Sequence, residues 1–162
     1  MLEAMPTDTL KDRRARAIFV FAFVAGFRAD ALITTRLRHV DPVTRTVRHD
    51  GVEMRAKNGK SFSVDWFPRT DPFRAVFVVW LEEVIALGLR PDDALFADLN
   101  DLAQAAEPGR TPIEPMRSSA AVTEAFLIAS RGASHAYSPH SARHALTHLG
   151  DTLCCTAAER KA

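Results

Sequence analysis

Six side chains in the sequence have the types and spacing to act on a phosphodiester: Arg28, Lys57, Lys60, His140, Arg143 and His144. Arg28 follows Gly26-Phe27, and the two lysines flank Asn58-Gly59. The other three lie in the run Ser138-Pro139-His140-Ser141-Ala142-Arg143-His144. An arginine fork holds two non-bridging phosphate oxygens at once and stays charged. Two such forks also stabilise the charge that builds as phosphorus is attacked. A lysine can give a proton to a leaving oxygen, and a histidine moves protons near neutral pH. Each of these residues alone also fits a solvated surface, so their order and context carry the argument.

The chemistry needs elements that bring these groups together. Thr9 or Asp8 caps an expected helix from Leu10 to Val24, with Ala17, Ile18, Phe21 and Val24 on its apolar face and Gly26 as its stop. A second helix is expected from Ala29 to Arg36, with Ala31, Leu32 and Ile33 turned inward. Arg28 therefore sits at a junction between helices. Thr46–Arg48, Val52–Ala56 and Ser61–Asp65 alternate with period two, and Asp50-Gly51 and Asn58-Gly59 separate them. Both dipeptides favour hairpin turns, which predicts a small three-stranded antiparallel sheet with Lys57 beside its second turn. Asp71 and Pro72 open a long helix to about Leu87, and Gly88 stops it. Arg90 to Pro115 reads as loop. Ser118 or Ser119 opens a helix through Ala129 that closes at Gly132, and Ser138-Pro139 opens another from His140 to Leu149. On that last helix His140 and Arg143 share a face, and its N-terminus adds a field that favours an anion.

The bulk figures set the frame. A chain of 162 residues suits one domain, and 47% apolar with 25% charged residues excludes broad disorder, collagen and a disulfide scaffold. Adjacent Cys154 and Cys155 suit a reducing cytosol. Lys11 to Arg16 before the apolar run Ala17–Gly26 imitates a targeting leader. The run is too short for a bilayer, Asp12 interrupts its basic part, and Arg28 and Asp30 follow at once, so a buried helix is expected. The net charge of +1 hides an asymmetry: residues 1–90 carry 15 Lys and Arg against 11 Asp and Glu, and residues 91–162 carry 6 against 9. The basic part holds Arg28, Lys57 and Lys60, while much of the acidic excess lies around Asp92, Asp93, Asp98 and Asp101.

Gly-x-Arg between helices, a hairpin lysine, a long helical stretch and then Pro-His-x-x-Arg-His resembles the catalytic domain of the tyrosine recombinases, the phage integrase family. The resemblance runs from about Thr9 to Ala162. Its most specific pieces are Gly26-Phe27-Arg28 with Ala31-Leu32, Leu37-Arg38-His39-Val40-Asp41, and Ser138 to His144. It implies an α+β fold, mainly helical with the small sheet, forming a single recombinase-like catalytic domain over residues 1–162. By the same resemblance Arg28 and Arg143 bind the scissile phosphate of duplex DNA and His140 transfers protons. Lys57 protonates the leaving 5′ oxygen, with Lys60 as the other hairpin candidate for that DNA contact, and His144 supports from behind. The family breaks and rejoins DNA through a tyrosine nucleophile without a cofactor or small-molecule substrate, working with further recombinase protomers on DNA. That implies a cytoplasmic, nucleoid-associated protein with no membrane partner and no metal.

The sequence also departs from the family pattern. Where an acidic residue commonly follows the first arginine by three positions, this chain has Ala31, with Asp30 one earlier. The one tyrosine, Tyr137, precedes His140, on the wrong side for the nucleophile. Thr156-Ala157-Ala158-Glu159 has the form of a capping box with three residues after it, so the sequence reads as a domain incomplete at its C-terminus and inactive in cleavage alone. Two other readings stay open. One is a non-catalytic remnant or interaction domain without a DNA role. The other is a metal-binding helix, because His140, His144 and His148 repeat every four residues.

Overall fold

A computed structural model describes residues 1–55, 59–68, 70–131 and 133–152. The fold is α+β and mainly helical. Its centre is α1 (Leu10–Ala25), which α3 (Asp71–Ala86), α5 (Ala120–Ala129) and α6 (Pro139–Thr152) surround. Thr9 starts α1 with a reciprocal cap: its hydroxyl accepts from the Asp12 amide at 3.1 Å, and the Asp12 carboxylate accepts from the Thr9 amide at 3.1 Å. From Ala17 to Ala22 every residue of α1 is buried. A helix apolar on all sides belongs inside a core, and this one carries the run that imitates a leader. Aromatic rings lock it to its neighbours, with Phe21 and Phe77 of α3 stacked at 4.7 Å and Phe19 and Phe126 of α5 edge-on at 5.0 Å.

Gly26 ends α1 in the left-handed region, φ 65° and ψ 17°, a conformation open to glycine at no steric cost. The chain then passes through Phe27 and Arg28 into α2 (Ala29–Ile33). This helix stops three residues before the expected Arg36. The Thr34 hydroxyl donates back to the Asp30 carbonyl at 2.7 Å and a short 3₁₀ turn follows at Leu37–His39.

The sheet has three antiparallel strands in the order β1 (Val40–Asp41), β2 (Thr46–His49) and β3 (Phe62–Asp65). Val47 of β2 pairs with Val40 on one side and Val64 on the other. The strand expected at Val52–Ala56 is instead a turn as far as it is described. The Asp50 carboxylate accepts from the Val52 and Glu53 amides at 2.9 and 3.2 Å, and Met54 donates to the Asp50 carbonyl at 2.9 Å. That aspartate supplies the partners a ladder would have supplied. Val52, at 92% exposed, has no buried face to alternate towards. The third strand comes from Val40–Asp41, where the Asp41 carboxylate closes the turn by accepting from Val43 and Thr44.

The segment read as loop contains one short helix, α4 (Leu99–Ala103), capped by the Asp98 side chain. The rest is organised by a buried ion pair. Asp93 is fully buried and accepts from Arg110 at 2.5 and 2.7 Å, from the Ile113 amide at 2.7 Å and from the Arg90 amide at 2.5 Å. The long helix α3 begins at Asp71 with Thr70 as its N-cap, one residue before the expected arrangement. Helix α5 opens after Ser119 as expected, while Gly132, its expected stop, lies outside the described residues. So do Cys154, Cys155 and Thr156–Glu159. Among the described residues no helix is long and apolar enough to cross a membrane.

Candidate phosphate-binding site

The site forms where α6 crosses the end of α1. Ala142 and Leu146 make the buried face of α6, and Arg143 lies half-buried beside them. The left-handed turn at Gly26 exposes its carbonyl to α6, and the Arg143 guanidinium donates to that oxygen through Nη1. The glycine also admits the helix itself, since a Cβ there would lie 3.4 Å from Leu146 Cδ1. The bond holds Arg143 two residues from Arg28, the N-cap of α2.

Burial, and then the nearby Arg28 charge, push the Arg143 guanidinium below its ordinary pKa. Both effects disfavour the charged form, because burial removes water and a like charge repels. The Arg28 carbonyl accepts from the Leu32 amide at 2.8 Å, while its exposed side chain makes no ion pair or hydrogen bond among the described residues. Two guanidiniums whose charges act on each other, with no carboxylate paired to either among the described residues, form a concentration of positive charge that an anion would relieve. By contrast, Arg36 pairs with Glu114 at 2.8 Å, Arg38 with Glu53 at 2.6 Å and with Asp92, and Arg110 with Asp93. The acidic excess near Asp92 and Asp93 is thus tied up by these arginines, and no carboxylate among the described residues pairs with the Arg28 side chain.

His140 and His144 are exposed one turn apart on α6, with their Nε2 atoms 2.9 Å from each other and ring centroids 4.4 Å apart. That contact needs a hydrogen on one nitrogen and a lone pair on the other. His140 is thus held by His144, while Arg143 turns to Gly26. Among the described residues no group of three or more His, Cys, Asp or Glu is placed to hold a metal ion.

Lys60 is exposed, two residues before β3, and carries no ion pair among the described residues. Lys57 lies outside the described residues. The hairpin is joined to the arginine junction by His49, a residue not singled out from the sequence. Its buried ring stacks on Phe62 at 4.5 Å and meets Phe27 edge-on at 5.1 Å, and its Nδ1 lies 3.0 Å from the Lys60 carbonyl oxygen. The signal was available: period two from Val47 puts His49 on the same buried side.

Arg143 lies near enough to Arg28 for the two charges to act on each other, His140 lies on the same helix as Arg143, and Lys60 stands two residues before β3. No model of a known protein family matches the chain, and no curated protein matches it either.

Proposed function

We propose that this chain is a tyrosine-recombinase-like domain that grips a backbone phosphate of duplex DNA. The observation that carries the reading is that Arg143, bonded to the Gly26 carbonyl, feels the charge of Arg28 from the opposite end of the chain, with no carboxylate bound to either side chain among the described residues. Arginine forks suit the paired oxygens of a phosphodiester. In this reading Arg28 and Arg143 clamp the phosphate, His140 serves proton transfer, and Lys60 adds a backbone contact from the hairpin. Most of the affinity comes from the phosphate backbone, so it falls with added salt and depends little on base sequence.

The 162 residues contain one tyrosine, Tyr137, which is exposed and whose amide donates to the Ser130 hydroxyl at 2.9 Å. It precedes the arginine-bearing helix, and the proposal assigns these residues phosphate binding rather than strand cleavage. The test is a fluorescence anisotropy titration with a short duplex at rising salt, alongside incubation with a nicked suicide duplex. The expected results are salt-sensitive binding and no covalent adduct. Absence of binding at low salt, or a covalent adduct at Tyr137, contradicts the proposal.

A further inference from the structure

We infer that His49 is a positioning residue that sets where the hairpin cation Lys60 stands relative to the arginine pair, an inference that rests on the phosphate-binding reading above. One imidazole makes three attachments. Its Nδ1 lies 3.0 Å from the Lys60 carbonyl oxygen, and a carbonyl can only accept, so Nδ1 carries the hydrogen and donates. Its face stacks on Phe62, with planes 5° apart, which fixes the first residue of β3. Its contact with Phe27, at 87° between planes, fixes the residue between Gly26 and Arg28. Gly26 in turn accepts from Arg143. A short chain of contacts therefore runs from the root of the hairpin through His49 and Phe27 to both arginines.

The ring is buried at 7% exposure, although histidine sits at the end of a short strand near the surface. Packing alone does not require a histidine there. A phenylalanine would fill the space and stack as well, yet would leave the Lys60 carbonyl without its donor. The specific contribution of the imidazole is the Nδ1–H bond, and that bond ends on the backbone of the cation two residues before the strand. Aromatic stacking sets the distance between strand and junction, and the hydrogen bond sets the direction from which the chain enters β3. The bond thus fixes the backbone from which the Lys60 side chain reaches for the phosphate backbone of the proposed DNA partner.

The test is the salt dependence of duplex DNA binding by four proteins: the natural chain, Lys60→Ala, His49→Phe and the double variant. Losing one phosphate contact lowers the slope of log affinity against log salt by about 0.9. Lys60→Ala is expected to lower it by that amount. His49→Phe is expected to lower it similarly, and the double variant to behave like Lys60→Ala alone. His49→Asn, which keeps an N–H near the Nδ1 position, is expected to recover part of the slope and serves if the phenylalanine variant folds poorly. An unchanged slope in His49→Phe and His49→Asn, effects of His49 and Lys60 that add, or an unchanged slope in Lys60→Ala each overturn the inference. In those cases a slope that still falls in Arg28→Ala leaves the arginine clamp standing. A natural chain that binds without salt dependence overturns both.

Discussion

The Arg143 guanidinium donates to the carbonyl of Gly26, across a sequence separation of 117 residues. This bond seats a half-buried cation beside the junction that carries Arg28, and the two arginines then have different structural duties. The Arg28 side chain is exposed and makes no ion pair or hydrogen bond among the described residues, so Arg28→Ala is expected to alter stability by no more than about 0.5 kcal/mol. Arg143→Ala removes the donor that satisfies the Gly26 carbonyl and is expected to cost about 1–3 kcal/mol. Urea unfolding of the two variants checks the contrast. Equal losses would mean that Arg143 does not tie α6 to α1.

Gly26 is the hinge on which that seating depends. Gly26→Ala forces a Cβ into a left-handed residue, at a cost of about 1–2 kcal/mol, and places it 3.4 Å from Leu146 Cδ1. The expected outcome is a lower urea midpoint together with weaker DNA binding, because α6 carries Arg143. A variant as stable as the natural chain would show that the turn is not left-handed.

Acid should loosen the 90–113 segment through Asp93. Burial alone would raise its carboxyl pKa, but the Arg110 guanidinium and the Arg90 and Ile113 amides outweigh burial and hold it at about 2. A depressed carboxylate stabilises the fold above its unfolded pKa, near 3.8, and that contribution fades as pH falls towards about 2. The contribution amounts to about 2 kcal/mol. Asp93→Asn should flatten the stability profile over that window. Arg110→Met, which leaves the carboxylate buried without its cation, is expected to cost about 3–5 kcal/mol near neutral pH. Thermal unfolding between pH 2 and pH 7 reads both.

A second acid-sensitive group lies at the start of β1. His39 accepts from the Arg36 amide at Nδ1 and faces the Glu53 carboxylate through Nε2 at 3.0 Å. Burial lowers its pKa and outweighs the opposing pull of Glu53. A histidine lowered in the fold contributes stability above its unfolded value, near 6.5, and loses it as pH drops below that value. His39→Gln is expected to remove the part of the pH dependence that begins near pH 6.5, well separated from the Asp93 window. A profile unchanged by the substitution would contradict a neutral buried His39.

Much of this architecture is legible in the residues. Thr9 with Asp12, Gly26, Pro72, Ser119 and Pro139 mark helix ends through local rules, and the structure puts boundaries within a residue or two of each. Val52–Ala56 alternates like a strand, but Asp50 next to it bonds the following amides and turns the chain. Val40-Asp41 is too short for period two to register and is a strand because Val47 pairs with Val40 across it. Helix α4 is only five residues long and owes its place to the Asp98 cap and the surrounding loop. In the candidate site, Arg28 and Arg143 could be marked from type and spacing, whereas the bond from Arg143 to the Gly26 carbonyl belongs to the packing of α6 on α1. His49 needed both the strand register and the neighbouring aromatics. The contact between His140 and His144 depends on rotamers, which spacing does not specify.

The proposed clamp of Arg28 and Arg143 on a DNA phosphate is tested most directly by the salt dependence of duplex binding in Arg28→Ala against the natural chain, at matched folded fractions. The expected result is linear log–log binding in both, with the slope of the variant smaller by about 0.9 and its affinity lower on every duplex sequence tried. Equal slopes and equal affinities would contradict the clamp.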